Sequence, residues 1–455
     1  MNVLLSAYAC NPASGGENGN GFRWAWEMAR RGHAVWCLTT PSNHDDIRNF
    51  QAAHATDPHA QRMHFTFIEL APLWQFLYRW QFGVYLHYMV WQYDAWRLAQ
   101  KMDRTINFDL VHHATYSSLK MGSWLWRLGK PMVYGPVGGA QKAPIAFRRY
   151  LPDWFRTETL RSAFTWVLTT FDVNLHQNLR HATLVLASND ESAALARQLG
   201  ARRVELFLDT GLPEAFEAAR FPERPAQPVL QLLWVGRLYP NKALPLVLDA
   251  LAQVDAWIPF HLTVLGDGPM RDLVPGWIAE YGLTDRVTWR GSVPWTEVHA
   301  CMLSHDVFIF GSLRDSFASQ FMEAMATGMP IITLNHQGAR SFLPDTAAIK
   351  VPVENPEATT AAMARAVEYL YNHPTERRAM GRAGYDFAHR QTWPDRMDRV
   401  LTMLAEMGID TTPQAEQALV VGSSNPEKIN PPASFLWPAA AGSSSSTGFS
   451  LPGIP

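Results

Sequence analysis

A predicted helix start and an acidic residue in the C-terminal half of the chain could bind the phosphate and the sugar of a ligand. The apolar run Phe308–Phe310 predicts a strand, and apolar residues then recur at helical spacing, which predicts a helix with Asp315 or Ser316 as its N-cap. A helix N-terminus after a parallel strand attracts phosphate. Glu323, predicted to lie two turns into this helix, can accept hydrogen bonds from ribose or hexose hydroxyls.

Two cations follow the first predicted strand of the same half. The strand is the nearly continuous apolar run Val229–Val235, and Arg237 and Lys242 come directly after it. A departing diphosphate carries several negative charges that cationic groups can stabilise. Arginine binds two phosphate oxygens and lysine supplies a point charge. Alone, the pair could equally be solvated surface residues, but beside the acidic helix it indicates a diphosphate clamp.

A glycine-rich loop follows the N-terminal strand, which we predict over Asn2–Tyr8. A helix and a second strand, Ala34–Thr39, come next, which is the order of a mononucleotide-binding unit. Gly15 and Gly16 allow backbone N–H groups to approach an anion closely. The glycines do not fit G-x-G-x-x-G and no acid ends the second strand, so a nicotinamide enzyme is disfavoured. A turn that binds nothing is the alternative.

Two adjacent histidines, His112 and His113, end another predicted strand. Ligands of doubly wound sheets lie at the carboxyl ends of the strands, so both are candidate catalytic residues. Neighbouring side chains of a strand point to opposite faces, and at most one of the two should face a ligand. A structural role is the alternative for each.

Residues 73–96 and 145–166 are rich in aromatic rings, and the second stretch also carries arginines. Rings beside basic side chains favour the surface of an anionic membrane, although they could instead belong to the core. The net charge of −2 gives no general attraction to nucleic acid. Three unpaired cysteines, and an opening segment too short to span a bilayer and without a basic start, indicate a cytoplasmic protein.

The chain contains no Cx2C, HExxH, G-x-S-x-G or Walker motif, so we predict neither a metal site nor a cofactor. Asp315 and Glu323 would lie about 12 Å apart along a helix, too far for a glycosidase pair. Strands alternate with helices through both halves, which predicts an α/β fold with two Rossmann-like domains, residues 1–208 and 209–392. From residue 408 to 455 the composition turns to Pro, Ser, Gly and Ala, which predicts disorder.

These motifs resemble those of the retaining GT-B glycosyltransferases of the family 4, or group 1, type. An acid, seven residues, Glu323 and then Ala-Met-Ala-x-Gly-x-Pro-Ile-Ile resembles the signature of that family, and Gly-Arg-x4-Lys resembles its diphosphate clamp. The loop at Gly15 and Gly16 resembles the one that faces the donor diphosphate there. The chain departs from the family at Asp315, Ala318 and Ala114, where Glu, Gly and His are usual.

The resemblance implies two domains facing across a cleft, with an N-terminal domain that binds the acceptor and a helix, residues 393–407, that crosses back to it. Glu323 would hold the ribose and Asp315 the hexose, while Arg237 and Lys242 neutralise the diphosphate. Backbone groups would complete the donor site, and they belong to Gly16, Val293, Phe317, Ala318 and Ser319.

The implied activity is transfer of a hexose from a nucleotide sugar to a saccharide or lipid-linked saccharide, with retention and without a metal, in cell-surface or exopolysaccharide synthesis. The protein would be cytoplasmic or peripheral on the inner membrane face. A nucleotide-sugar 2-epimerase shares this architecture and is one alternative. A non-catalytic partner in a polysaccharide assembly complex is another, suggested by Asp315, Ala318 and Ala114.

Overall fold

A computed structural model describes residues 1–14, 16–72, 74, 83–213, 216, 220–224 and 227–413. These residues form two α/β domains, each built on a parallel sheet with helices on both faces. The predicted GT-B fold, with two Rossmann-like domains, is confirmed. Gly15 lies outside the described residues. So do residues 73 and 75–82 of the aromatic stretch 73–96, and residues 414–455 of the segment predicted to be disordered, 408–455.

The N-terminal sheet has the strand order β3-β2-β1-β4-β5-β6-β7, and all of its described pairings are parallel. Its direction of winding reverses between β1 and β4, where a doubly wound sheet has its ligand crevice. The strands are β1 Asn2–Ser6, β2 Ala34–Thr39, β3 Met63–Phe67, β4 Leu110–His113, β5 Met132–Val137, β6 Leu184–Ala187 and β7 Val204–Leu206. The helices are α1 Gly16–Arg30, α2 His44–Ala53, α3 Gly83–Ile106, α4 Arg161–Phe171, α5 Val173–His181 and α6 Asp190–Gln198.

The C-terminal sheet has the order β10-β9-β8-β11-β12-β13 and reverses between β8 and β11. Its strands are almost wholly apolar because helices cover both faces. They are β8 Leu230–Val235, β9 Phe260–Leu265, β10 Val287–Trp289, β11 Val307–Phe310, β12 Ile331–Leu334 and β13 Ala348–Val351. The helices are α7 Leu244–Ala252, α8 Val274–Glu280, α9 Trp295–Ser304, α10 Ser319–Ala326, α11 Gln337–Phe342, α12 Pro356–Asn372 and α13 Pro374–Ala388.

The last described helix, α14 (Trp393–Glu406), packs on the N-terminal domain. The Trp393 ring meets the ring of Trp24 in α1 edge to face, and Arg31 of α1 forms an ion pair of 2.6 Å with Asp398. A helix from the end of the described chain therefore closes the first domain.

One segment of the N-terminal half belongs structurally to the other domain. Four side chains of residues 143–151, which we call the strap, lie in the hydrophobic core of the C-terminal domain, and they are Ala143, Phe147, Tyr150 and Leu151. Arg149 forms ion pairs with Asp249 of α7 and Glu357 of α12, at 3.2 and 2.7 Å. Phe147 and Tyr150 are therefore core residues, the alternative to the membrane surface, and part of the segment 1–208 packs with the C-terminal domain.

Some aromatic residues of the first stretch are also core. Tyr88 and Trp91 of α3 are buried beneath the N-terminal sheet, whereas Leu86, Met89 and Tyr93 are exposed. Within the described part of the chain, no helix combines the length and the apolarity needed to span a bilayer.

Candidate functional site

The crevices of the two sheets face each other across the domain boundary. The side-chain amide of Gln141, after β5, donates to the Ser316 hydroxyl at 2.6 Å, and Gln337 of α11 donates to the Lys142 carbonyl at 2.9 Å. Gly138 lies so close to Ser316 that an added Cβ would be 2.8 Å from its hydroxyl. The loops after β5 and β11 therefore form adjoining walls of one cleft.

Lys242 and Asp315 meet at the floor of this cleft as an ion pair. Lys242 ends a short turn after β8 and Asp315 lies in the loop after β11, so two neighbouring strand ends supply the pair. The loops are tied together, since the Asn241 amide donates to the Arg314 carbonyl at 2.8 Å and the Leu313 N–H donates to the Asn241 carbonyl at 2.9 Å. The fold thus brings together two predicted site residues that are far apart in sequence.

The helix α10 begins later than predicted. Its N-cap is Ala318 and its first residue is Ser319, so neither Asp315 nor Ser316 caps it. Asp315 lies in an extended loop, where its N–H donates to the Gln337 side-chain oxygen at 2.7 Å and its carboxylate accepts from Ser312. The prediction that Asp315 and Glu323 lie about 12 Å apart along one helix is therefore wrong, because Asp315 lies outside the helix. A small cavity borders Asp315, Phe317 and Ala318.

Glu323 is the fifth residue of α10, one turn from its start rather than two. The side chain is only 9% exposed, and burial raises the pKa of its carboxyl to about 7, opposed by a hydrogen bond with Trp295. A buried carboxyl with a raised pKa is characteristic of binding and catalytic sites. Glu323 can accept hydrogen bonds from hydroxyl groups once it is ionised.

Arg237 follows β8 and is exposed, with its guanidinium 4.9 Å from the centre of the Tyr239 ring and a 3.1 Å hydrogen bond to the hydroxyl of that tyrosine. It has no carboxylate partner among the described residues, so it is available to an anion. Val293, in the loop before α9, is half-buried against the core. Gly16 begins α1 in a left-handed conformation with φ of +59°, which suits glycine.

The two histidines are both buried, on opposite faces of the N-terminal sheet. His112 bonds the Gly135 carbonyl at 2.9 Å and its ring meets Trp24, while His113 bonds the Tyr88 hydroxyl at 2.8 Å. Burial lowers the pKa of His112 to about 4 and that of His113 to about 3, so both rings are neutral near pH 7. Their observed contacts are with the domain's own residues, and the structure does not bring them to Lys242 and Asp315.

Two further acids near the cleft were not identified from the sequence. Asp209 has a pKa raised to about 7 by burial and then by the negative charges of Asp315 and Glu17, against the attraction of Arg396. Glu17, in the first turn of α1, accepts from the Tyr116 N–H at 2.6 Å, and desolvation by the surrounding protein raises the pKa of its carboxyl against the effect of this hydrogen bond. Among the described residues, no three or more His, Cys, Asp or Glu side chains are grouped so that they could hold a metal ion.

A signal for these acids was present. Glu17 directly follows the two glycines of the N-terminal loop, and Asp209 directly follows the predicted domain boundary. The Asn20 side chain donates to the Asp209 carbonyl at 2.6 Å, which joins α1 to the domain connection. An acid at each of these positions could have been expected to face a cleft between domains.

Comparisons with known proteins agree with this architecture. Residues 215–387 match the family model of glycosyl transferases group 1. The chain is similar to 2-deoxystreptamine glucosyltransferase of Streptomyces kanamyceticus, 30% identical over 46% of this chain and 56% of that protein. It is also similar to the putative colanic acid biosynthesis glycosyltransferase WcaL of Escherichia coli K12, 28% identical over 38% of this chain and 44% of that one. The matches thus span about half the length of these curated relatives.

The whole described fold has counterparts among solved structures. Anabaena HepE, solved in complex with UDP, aligns with a TM-score of 0.57 and 14% identity over 89% of this chain and all of that one. At this identity the likeness concerns the fold. The family model thus matches the C-terminal domain, and the fold of the described chain as a whole is the GT-B fold.

Proposed function

We propose that this protein is a retaining glycosyltransferase of the family 4 type that moves a hexose from a nucleotide sugar to a saccharide or lipid-linked saccharide. The observation that carries the proposal is the meeting of Lys242 and Asp315 at neighbouring strand ends, with Arg237 after the same strand as Lys242 and Glu323 on the adjoining helix. The group 1 match covers all four residues. HepE, which shares the fold, was solved with UDP, and this makes UDP-sugars the first donors to test.

The donor would lie with its diphosphate against Arg237, Lys242 and the N–H groups of Gly16 and of Phe317 to Ser319. Glu323 would accept hydrogen bonds from the ribose and Asp315 from the hexose, while backbone groups near Val293 contact the base. Asp315 is paired with Lys242 in the unliganded protein. An incoming diphosphate would therefore compete for Lys242 and release Asp315 to the sugar.

The transfer would proceed on one face of the sugar. The bond between the anomeric carbon and the β-phosphate oxygen breaks, the acceptor oxygen bonds to the same carbon from the same side, and its proton passes to the departing phosphate oxygen. The two cations stabilise the charge that develops on the diphosphate. This route uses no protein base, in keeping with histidines that are buried and bonded elsewhere. The proposal includes no metal and no cofactor.

The acceptor would be reached at a membrane surface, on the cytoplasmic side. The helix α4 and the turn before it expose Phe155, Leu160, Trp166 and Phe171, of which Trp166 is 62% and Phe171 67% exposed. Arg156 is exposed among them. Apolar rings with an exposed arginine favour the interface of an anionic bilayer. This surface replaces the broader stretches 73–96 and 145–166 proposed from the sequence, and it fits a role in cell-surface polysaccharide synthesis.

Thermal unfolding with UDP-, GDP- and ADP-sugars tests the donor site. A true donor at 100 times its Kd should stabilise the protein by about 2.7 kcal/mol. The stabilisation should be lost in Glu323→Gln and kept in Glu376→Gln, which alters an exposed helical carboxylate. Absence of stabilisation by every nucleotide sugar would contradict the proposal. A new nucleotide sugar formed without acceptor would instead identify an epimerase.

A further inference from the structure

A group of charged side chains beside the donor site plays no part in the proposed transfer. It consists of Lys120, Glu158, Arg161 and Arg314 with the hydroxyl of Tyr85, and we call it the Lys120 cluster. Lys120 lies in the loop after β4, Glu158 lies in the helical turn before α4, Arg161 is the first residue of α4, and Arg314 comes from the C-terminal half. The cluster therefore spans the domain boundary.

Both oxygens of the single carboxylate are already bonded to arginine. One oxygen of Glu158 accepts from Arg314 Nε at 2.8 Å and the other from Arg161 Nη2 at 3.1 Å. Arg161 Nη2 also donates to the Gln141 carbonyl at 2.9 Å. Glu158 is buried, with 3% of its side chain exposed, and its negative charge is paired with the two guanidinium groups.

The ammonium group of Lys120 has no carboxylate of its own. It is 5% exposed, and within the described chain its one hydrogen bond goes to the Tyr85 hydroxyl at 3.2 Å. Arg161 Nε is buried without a partner among the same residues. Three cations thus face one carboxylate in a buried space. Burial first, and then Arg161 and Arg314, lower the pKa of Lys120 to about 7.

An excess of buried positive charge is costly unless a counter-charge is present. The lowered pKa of Lys120 relieves part of this cost, and a bound anion would supply the missing counter-charge. The unsatisfied donors of Lys120 and Arg161 come from different elements. A phosphate can accept from several donors at once, whereas a carboxylate has only two oxygens.

The position of the cluster indicates which phosphate it could hold. Arg314 directly precedes Asp315, and Lys120 adjoins Gly139 in the loop whose Gly138 contacts Ser316. On its other side, Tyr85 meets the Phe164 ring of α4 at 5.5 Å, and α4 carries the exposed Trp166. The cluster therefore lies between the loop proposed to hold the donor sugar and the surface proposed to meet the membrane.

We propose that the Lys120 cluster binds a phosphate or diphosphate group of the acceptor, which would then be a sugar carried on a lipid phosphate. The assignment of this anion to an acceptor rests on the proposed transferase function. The anion-binding property of the cluster itself does not.

Calorimetric titration with farnesyl diphosphate, inorganic diphosphate and uncharged farnesol tests the proposal. Farnesyl diphosphate should bind the wild-type protein, and Lys120→Met should weaken it roughly 10- to 100-fold, the scale for one charge-assisted hydrogen bond. Lys101→Met is the matched control, because Lys101 is exposed near the far end of α3 from Tyr85. That variant should bind as the wild type does.

Two further variants separate this site from the donor clamp. Lys242→Ala should weaken a UDP-sugar and leave farnesyl diphosphate within about threefold, while Lys120→Met should do the reverse. Lys120→Arg, which keeps a cation, should retain binding and shows that any loss in Lys120→Met is not a folding defect. The melting temperature of each variant without ligand completes that control.

Unchanged binding of farnesyl diphosphate in Lys120→Met would overturn the anion site, even if UDP-sugars bound normally. Equal affinity for inorganic and farnesyl diphosphate, both sensitive to Lys120, would overturn the lipid-linked acceptor and retain a site for the free ion. Failure of all nucleotide sugars to bind, with farnesyl diphosphate still held by Lys120, would refute the transferase and leave the anion site standing.

Discussion

Lys242 and Glu323 are each held in a state that a donor would change. Lys242 is engaged by Asp315, and Glu323 is buried with a pKa raised to about 7. A diphosphate would draw Lys242 away from its carboxylate, and ribose hydroxyls would stabilise the ionised form of Glu323. Donor binding would therefore change the charge environment of both groups.

Loss of either cation of the clamp should slow transfer. We expect Arg237→Ala and Lys242→Ala each to reduce turnover at least ~100-fold, the scale for removing one stabiliser of a developing negative charge. Steady-state rates with saturating donor measure this. Arg365→Ala, which removes an exposed cation of α12, is the control and should keep the wild-type rate. Near wild-type turnover in either clamp variant would refute the assignment.

Donor binding should strengthen as the pH rises through the pKa of Glu323. Ionised Glu323 accepts hydrogen bonds from the ribose, and with a pKa of about 7 this form is the minority at pH 6 and the majority at pH 8. Titration of the wild-type protein with a UDP-sugar at both values should show the higher affinity at pH 8. The affinity of Glu323→Gln should be lower and should lose this pH dependence. An equal dependence in both proteins would place the titrating group elsewhere.

The elements that carry Lys242, Asp315 and Glu323 could be predicted from sequence, because the pattern of a strand, a loop and a helix is local. The partnership of Lys242 with Asp315 could not, since it joins loops 73 residues apart. Glu17 and Asp209 were missed for a similar reason. Their positions, after the two glycines and at the predicted domain boundary, were a signal, but the proximity that couples their charges arises only when α1 and the domain connection meet.

At the scale of elements, the start of α10 shows where a local rule failed. Asp315 and Ser316 are favourable N-cap residues, yet the helix begins at Ser319. The side chains that would cap it are engaged elsewhere, Asp315 with Lys242 and Ser316 with Gln141. The loop therefore stays non-helical at Asp315 and Ser316, because Lys242 and Gln141 bind their side chains in the cleft.

Gly338 in α11 allows the loop that contains Ser316 to lie close to this helix, because glycine has no side chain. A Cβ added there would lie 1.3 Å from the Ser316 carbonyl oxygen, so Gly338→Ala must displace the loop. We expect a loss of about 1–3 kcal/mol in the free energy of unfolding, the scale for overpacking, together with weaker donor binding. Denaturant unfolding and titration with a UDP-sugar measure the two effects.

Gly276 in α8 provides the control for this substitution. A Cβ added there meets nothing within 4 Å, so Gly276→Ala should leave donor affinity unchanged and stabilise the protein slightly, because alanine is the better helix former. Unchanged donor affinity in Gly338→Ala would show that the position of the loop does not matter for binding.

At the scale of the whole molecule, the strap makes the stability of the C-terminal domain depend on the N-terminal half. Phe147 is fully buried in the C-terminal core. We expect Phe147→Ala to lower the free energy of unfolding by about 3–5 kcal/mol, measured by denaturant titration. Phe155→Ala, at a ring that is 64% exposed, should cost far less. Equal losses in the two variants would mean that the strap does not contribute to the core.

The alternation of strands and helices was enough to predict two Rossmann-like domains, because that pattern is local and repeats along the chain. The strap was not predictable in the same way. Phe147 and Arg149 have the composition of a membrane-facing segment, and only distant partners show otherwise, the C-terminal core for Phe147 and the carboxylates of Asp249 and Glu357 for Arg149.

The strap also limits how the two domains can move apart. In the described chain the backbone passes between the domains on entering and leaving residues 143–151, again near residue 209, and once more before α14. Several backbone connections resist sliding and permit mainly a hinge rotation about an axis close to them. A nucleotide sugar should then enter from the side of the cleft farthest from this axis, where a small rotation gives the widest opening.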